Sequence, residues 1–262
     1  MSENEFRFTD GAAYERFMGP WTRAVGSVFL GWLAIPASQR WLDVGCGTGI
    51  FTELLLDTVA PTAVVAIDPA PAQIEQARAK PVSHRADFRV ADAQALPFAD
   101  AEFDVAASAL VINFIPDQPR AVGEMKRVVK AGGCVAGYVW DFAGDLLVVR
   151  HMSDALREIN PNLPLVPGTE SSRIEALGRL FESAELRDVA ARPIEVEVTY
   201  PRFDIYWQRF IDNPSPLSAY IKEMSEPVRN GLRATVHSRL PIAPDGTITF
   251  AARANAVKGR VP

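Results

Sequence analysis

The stretch Trp41-Leu42-Asp43-Val44-Gly45-Cys46-Gly47-Thr48-Gly49 decides the fold. It runs from an apolar, strand-like segment into three glycines at alternate positions, and an amphipathic helical pattern over residues 51–59 follows at once. Glycines in such a turn let the backbone bend tightly and approach a ligand without an intervening Cβ. Ligands of open parallel sheets bind at the carboxyl ends of the strands, where this turn would lie. The stretch therefore predicts an α/β fold with a ligand site at the glycine turn.

The glycine spacing discriminates among ligands. A dinucleotide fold requires G-x-G-x-x-G, which would place its third glycine at position 50, but Ile50 stands there. A P-loop is excluded more firmly, because no Gly-Lys-Ser/Thr sequence follows. An isolated glycine turn can also be a tight turn that binds no ligand. Residues at the neighbouring strand ends are therefore needed to distinguish a binding site from a plain turn.

Short β-branched runs alternate with amphipathic helical patterns through the first half of the chain. This alternation indicates βαβ units on a parallel sheet. The predicted strands are Arg40–Val44, Ala63–Ile67, Asp87–Val90, Phe103–Ala109 and Cys134–Trp140. The predicted helices between them are Phe51–Val59, Pro71–Lys80 and Pro119–Val129, and Ala131-Gly132-Gly133 is expected to close the last one.

Acidic residues follow the strands in order. Asp68 ends the second strand, roughly 20 residues after the glycine turn, where such folds hydrogen-bond a ribose diol. Taken alone, an aspartate here favours capping the helix beginning at Pro71, and the two roles are compatible. Asp92 follows the third strand and could accept from an exocyclic amine, or could serve only a capped turn. With Asp43, three acid-bearing strand ends along one edge favour a ligand containing a nucleoside.

Composition narrows the classes of function. The 262 residues allow one large domain or two small ones, and 48% hydrophobic with 23% charged residues is typical of folded proteins. The 27 basic and 32 acidic residues give a net charge of −5, which argues against a general nucleic-acid or polybasic membrane binder. The longest uncharged stretch, residues 24–39, is too short to span a bilayer. Two cysteines do not make a disulfide scaffold or a multi-cysteine zinc site.

From these observations we expect a cytoplasmic protein with no nucleic-acid partner, no membrane insertion and no metal. The acidic start of the chain lacks the basic and apolar regions of a secretory signal. Nothing in the composition indicates an oligomeric state.

The second half has a different rhythm. Leu146–Ile159 and Ser171–Ala184 are predicted helices, and strand-like Leu186–Tyr200 and Thr247–Lys258 flank a helical block. No linker-like composition marks a boundary, so we expect a single domain over residues 1–262. Its expected parts are an N-terminal helical or lid segment (1–38), a cofactor-binding core (39–140) and a helical cap insertion (201–240).

Aromatic residues recur at helical spacing in the predicted cap: Phe203, Tyr206, Trp207 and Phe210. A stripe of this kind is usually core. Part of it could also wall an apolar acceptor pocket, because the cap must cover the edge of the sheet.

The segments WLDVGCGTG, AIDPA, DAQALPF, FDVAASALVINFIPD and EMKRVVKAGG together resemble the class I S-adenosylmethionine-dependent methyltransferases. The nearest group is the small-molecule branch similar to the ubiquinone/menaquinone-biosynthesis enzymes. The resemblance covers about Tyr14 to Trp140 with specific motifs. It implies a Rossmann-like, doubly wound, seven-stranded sheet, mostly parallel with a reversed last strand. Ala131 stands where the family usually has proline, in a turn far from the cofactor.

The resemblance also implies roles toward S-adenosyl-L-methionine. Gly45, Cys46 and Gly47 would pass under its methionine part. Asp43 would help hold the ammonium, directly or through water. Asp68 would bind the ribose hydroxyls.

Further contacts follow from the same resemblance. Pro69 would lie beside the adenine, and Asp92 and Ala93 would meet the adenine edge. Ala109 and Leu110 would line the methionine and sulfonium. Tyr14, in an N-terminal lid, would also contact the cofactor, although this segment could instead be a helix packed on the sheet.

Methyl transfer from a sulfonium is an in-line displacement in which the protein chiefly supplies position and a dry pocket. A general base is needed only for a poor nucleophile, so we assign no catalytic residue. Asp141 is the strongest candidate to touch the acceptor, and Asn113 is a weaker one. The three histidines, His84, His151 and His237, are more consistent with structural or solvated roles.

The leading interpretation is methyl transfer to a small, partly apolar acceptor. One alternative is a non-catalytic S-adenosylmethionine-binding protein whose acceptor site has decayed. The other is a nicotinamide-dependent oxidoreductase, which Ile50 disfavours.

Overall fold

The structure is a computed structural model that describes residues 11–144, 146–213 and 215–262, with side chains from Met18 onward, Pro216 excepted. Within these residues one sheet has the strand order β3-β2-β1-β4-β5-β7-β6. Its strands are β1 (Arg40–Val44), β2 (Ala63–Asp68), β3 (Asp87–Val90), β4 (Phe103–Ala109), β5 (Val129–Trp140), β6 (Arg187–Tyr200) and β7 (Ile248–Arg260). Strands β1 to β5 pair in parallel, whereas β7 is antiparallel to both β5 and β6. The predicted Rossmann-like sheet with a reversed last strand is confirmed.

Helices cover both faces of the sheet. They are α1 (Gly11–Leu33), α2 (Ile50–Val59), α3 (Pro71–Arg78), α4 (Gln118–Val128), α5 (Leu147–Ile159), α6 (Ile174–Ser183), α7 (Phe203–Asp212), α8 (Pro216–Glu223) and α9 (Glu226–Arg239). One core joins α1, α2, α5 and α7 to the first face, and α4 and α6 pack on the second. Among the described residues, no helix has both the length and the apolar character to cross a bilayer.

Strands β6 and β7 rise above the rest of the sheet. Trp140, the last residue of β5, pairs with Ala254, but β6 and β7 stay paired as far as Tyr200 and Ile248. At the usual rise per residue, the ribbon extends about 20 Å past the carboxyl end of β5. Helices α7 to α9 connect its two strands. The range predicted as a cap insertion therefore starts from this ribbon, and its role as a cap stays a prediction.

The aromatic stripe of α7 is buried, with Tyr206 fully enclosed. The Tyr206 hydroxyl donates to the carbonyl of Val148 in α5 at 2.9 Å, and its ring centroid lies 4.9 Å from that of Phe250 in β7. These contacts tie α7 to both α5 and the sheet. The core interpretation therefore accounts for Tyr206, and the acceptor-wall interpretation of the stripe stays a prediction.

The junction of α4 and β5 differs from the expectation. Helix α4 ends at Val128, and Val129 already has extended backbone and pairs with Phe103, so the predicted Gly132-Gly133 stop lies inside β5. Pairing with β4 across a bulge draws Val129 out of the helix. Gly133 is needed for close packing, because a Cβ there would lie 2.6 Å from the carbonyl oxygen of Asp104. The local sequence indicated a stop, but the sheet sets its position.

Candidate functional site

The glycine turn joins β1 to α2 at the carboxyl edge of the sheet. The backbone N–H groups of Gly45 and Cys46 both donate to the carbonyl of Ile67 in β2 at 2.8 Å. Gly45 has φ +79°, and a Cβ there would lie 2.6 Å from the Val111 side chain. A glycine is therefore required at 45 by both backbone conformation and packing.

Gly47 also has a positive φ, but its packing differs from that of Gly45. Its φ is +52°, but a Cβ there would have only the Gln73 amide oxygen within reach, at 4.0 Å. The position that a Cβ would occupy at residue 47 therefore lies in open space. The positive φ accounts for glycine at this position, and the open face leaves room for a ligand to approach the backbone.

Asp68, at the end of β2, bonds directly to this turn. One carboxylate oxygen accepts from the Gly47 N–H at 3.0 Å and the other from the Ala70 N–H at 2.9 Å. Ala70, not Asp68, is the N-cap of α3, so the capping interpretation is replaced by a local turn bond. Burial raises the pKa of Asp68, and the two N–H donors partly offset that rise. The hydrogen bond to Gly47 thus keeps the Asp68 carboxylate next to the open face of the glycine turn.

Asp43 lies beneath the turn and is fully buried. The hydroxyl of Thr52, in α2, donates to its Oδ2 at 2.6 Å, whereas its Oδ1 has no hydrogen-bond partner. Burial raises the pKa of Asp43 to about 7. An unpaired buried carboxylate oxygen is costly, so this atom suits a cationic ligand group. No sequence motif marks Thr52, although its place in the first turn of α2 puts it beside the glycine turn.

Replacing Asp43 with asparagine is expected to flatten the pH dependence of stability. In the wild type, the folded-state pKa of about 7 lies above the ordinary 3.8, so the folded protein binds the extra proton and loses stability as pH rises. This difference amounts to about 2–3 kcal/mol between pH 5 and pH 8. Urea unfolding at both pH values measures it.

The control variant is Asp57→Asn, which changes an exposed carboxylate on α2, the helix that carries the Asp43 partner Thr52. It should keep the wild-type dependence of unfolding free energy on pH. Equal pH dependence in wild type and Asp43→Asn would show that Asp43 is not the titrating group.

The third strand end carries Asp92 and Ala93. The exposed Asp92 carboxylate accepts from the backbone N–H of Gln94 at 2.9 Å and from its side-chain amide at 3.0 Å. Ala93 is buried, and Pro69 at the neighbouring strand end is exposed. The turn interpretation of Asp92 is thus present in the structure, and contacts of these residues with adenine stay predictions.

Leu110, the residue that follows β4, has an unusual backbone conformation. Leu110 has φ +62°, is buried, and donates its N–H to the carbonyl of Tyr138 at 2.7 Å. Ala109, half-buried, precedes it. A left-handed leucine is strained by roughly 1 kcal/mol or more, and such strain is often found at functional sites. Tyr14 lies in the first turns of α1, where side chains are outside the described residues.

The cysteine of the glycine turn and the three histidines do not provide a base or a nucleophile for this site. Burial and the nearby Asp43 and Asp68 charges raise the pKa of the Cys46 thiol, so it stays protonated. His84 is exposed, and the His237 ring packs edge-on against Phe203 at 4.7 Å. Burial lowers the pKa of His151. Among the described side chains, no group of three or more His, Cys, Asp or Glu could hold a metal ion.

The two acceptor candidates follow β5 and β4. Asp141 is buried and lies 3.9 Å from the Arg253 guanidinium. Asn113 is also buried, and neither atom of its side-chain amide has a hydrogen-bond partner. The sequence placed both at strand ends but did not reveal that one has a counter-charge and the other lacks partners.

Comparison with known proteins bears on the same segment. The methyltransferase domain family matches residues 42–137, from β1 to β5. This segment of the chain is therefore a methyltransferase domain, and the fold is that of the class I S-adenosylmethionine-dependent methyltransferases. The malonyl-[acyl-carrier protein] O-methyltransferase of Serratia marcescens is 32% identical over 149 residues, which is 55% of each protein. The ubiquinone/menaquinone biosynthesis C-methyltransferase of Dinoroseobacter shibae is 36% identical over 106 residues, 39% of this chain and 42% of that protein.

The chain thus spans about half the length of the curated relatives it matches. These two relatives are named for different methyl acceptors, so similarity over the matched segment does not identify the acceptor of this chain. A phosphoethanolamine methyltransferase of Haemonchus contortus, solved with S-adenosylhomocysteine, has a similar fold, with a TM-score of 0.61 and 17% identity. That similarity covers 99% of this chain and 58% of the other and concerns the fold alone.

Proposed function

We propose that this chain transfers a methyl group from S-adenosylmethionine to a small, partly apolar acceptor by in-line displacement. The observation that carries the proposal is the pairing of Gly47 and Asp68. A glycine face with no Cβ opens beside a carboxylate that is bonded to the same turn. An amino-acid moiety could pass over such a backbone, and a sugar diol could bind such a carboxylate.

The described residues fit this cofactor. The unpartnered Oδ1 of Asp43 suits the ammonium, and Asp68 suits the ribose hydroxyls. When bound, S-adenosylmethionine supplies an electrophilic methyl group on a sulfonium. The apolar Ala109 and Leu110 would exclude water beside it. The remaining proposed contacts are Gly45, Cys46, Pro69, Asp92, Ala93 and Tyr14.

The acceptor half of the proposal rests on chemistry and charge. A net charge of −5 favours a small molecule over a nucleic acid. Because positioning and water exclusion can suffice for methyl transfer, we propose no general base.

Calorimetric titration with S-adenosylhomocysteine, followed by turnover against a panel of small acceptors, tests the proposal. We expect binding, release of S-adenosylhomocysteine with at least one acceptor, and no binding of NADH. Absence of S-adenosylhomocysteine binding would overturn the cofactor assignment. Binding without turnover across the panel would favour the non-catalytic alternative, and NADH binding would favour the oxidoreductase.

A further inference from the structure

Asn113 is a buried amide with nothing to bond to. It lies in a short 3-10 turn, Ile112–Phe114, which begins three residues after the last residue of β4, and it is only 3% exposed. Neither its Nδ2 nor its Oδ1 has a hydrogen-bond partner. Each unsatisfied buried polar atom destabilises a protein, so a bound group that supplies the missing hydrogen bonds would be favoured here.

The amide is held in place by its surroundings. The backbone carbonyl of Asn113 accepts from the Gln118 side chain at 3.2 Å and from the Ser171 hydroxyl at 3.4 Å. Gly168, with φ +77°, packs so closely that a Cβ there would lie 2.8 Å from Nδ2. The Asn255 amide fixes the same loop to β7 by donating to the carbonyl of Ser172 at 2.9 Å. Asn113 is therefore clamped between α4 and the 168–172 loop.

The position of Asn113 is next to the proposed cofactor site but not part of it. Val111, two residues earlier, packs against Gly45 in the glycine turn. Two residues of a 3-10 turn advance only about 4 Å. The ring of Phe114 meets that of Phe142, beyond β5, edge-on at 5.8 Å. Asn113 thus lies at the carboxyl edge, and the residue after it contacts the segment that follows β5.

We propose that Asn113 is an acceptor-positioning residue that binds a neutral hydroxyl group of the acceptor. This inference rests on the proposed methyl transfer. The amide offers the N–H donors of Nδ2 and the acceptor Oδ1, and a hydroxyl group can both accept and donate. A carboxylate would be repelled by Oδ1, and an ammonium would leave Nδ2 unpaired. Asp141, after β5, faces Arg253, and Arg253 also pairs with Glu195, so these nearby charges have partners within the protein.

The test uses the full chain saturated with S-adenosylhomocysteine, with phenol as the probe and toluene as its hydroxyl-free match. We expect phenol to shift the ¹⁵N side-chain amide resonance of Asn113 and toluene to leave it unchanged. Asn113→Leu, which has nearly the same shape, should weaken phenol binding at least tenfold while S-adenosylhomocysteine affinity stays within twofold. The control, Asn162→Leu, changes an exposed asparagine and should behave as wild type.

Stability separates this role from a structural one. Removing an unpartnered amide without changing its shape should leave the melting temperature equal or higher, whereas a structural amide would lower it. Failure of S-adenosylhomocysteine to bind would overturn the proposed function itself. Normal cofactor binding with no phenol-induced shift at Asn113, or a lower melting temperature in Asn113→Leu, would overturn this inference alone.

Discussion

Replacing Gly47 with alanine should weaken S-adenosylhomocysteine binding at least tenfold and lower the unfolding free energy by only about 1–2 kcal/mol. The stability loss comes from placing a non-glycine residue at φ +52°, since no protein atom lies closer than 4.0 Å to the new Cβ. The affinity loss comes from filling the face over which the methionine part is proposed to pass. Calorimetry and chemical denaturation measure the two effects separately.

Gly132→Ala is the matched control. Gly132 has φ +77° and nothing within 4 Å of the position that a Cβ would take, so it carries similar backbone strain away from the glycine turn. Both variants should lose similar stability, and only Gly47→Ala should lose affinity. Unchanged affinity in Gly47→Ala would remove the glycine turn from the cofactor site.

Replacing Asp68 with alanine should reduce S-adenosylhomocysteine affinity at least 100-fold. The variant removes the proposed ribose partner and also leaves the Gly47 and Ala70 N–H groups without their acceptor. The lost bonds should lower the unfolding free energy by about 1–3 kcal/mol. Calorimetric titration and urea denaturation of the same preparation measure both changes.

Asp245→Ala separates binding from turn stability. Asp245 accepts from the Thr247 N–H at 3.0 Å in the turn before β7, so its loss also frees a backbone donor. This control should lose stability without losing affinity. If Asp68→Ala bound as tightly as Asp245→Ala, the ribose role of Asp68 would have to be withdrawn.

Several parts of the site follow from sequence because they depend on local chain properties. β1, β3 and β4 have the predicted bounds, and β2 extends one residue further, to Asp68. These strands are short apolar, β-branched runs that are bounded by turn residues. Gly45 and Gly47 adopt the positive φ that only glycine accepts easily.

Other features depend on contacts between distant parts of the chain. The sequence places Asp43 at a strand end, but the Thr52 bond and the unpartnered Oδ1 appear only when α2 packs over β1. The sequence offers both a sugar-binding and a capping role for Asp68, and the fold shows its carboxylate on the Gly47 N–H. Such pairings depend on which elements become neighbours.

The sequence by itself determined the order of strands and helices, the glycine turn and the acids at the strand ends. Only the tertiary structure decided where β5 begins, which face of Gly47 is open, and that the Asn113 amide is buried without a partner. The physical reason is the range of the forces involved. Backbone conformation and hydrophobic periodicity act over a few neighbouring residues, whereas burial and hydrogen-bond satisfaction depend on groups that meet only after the chain has folded.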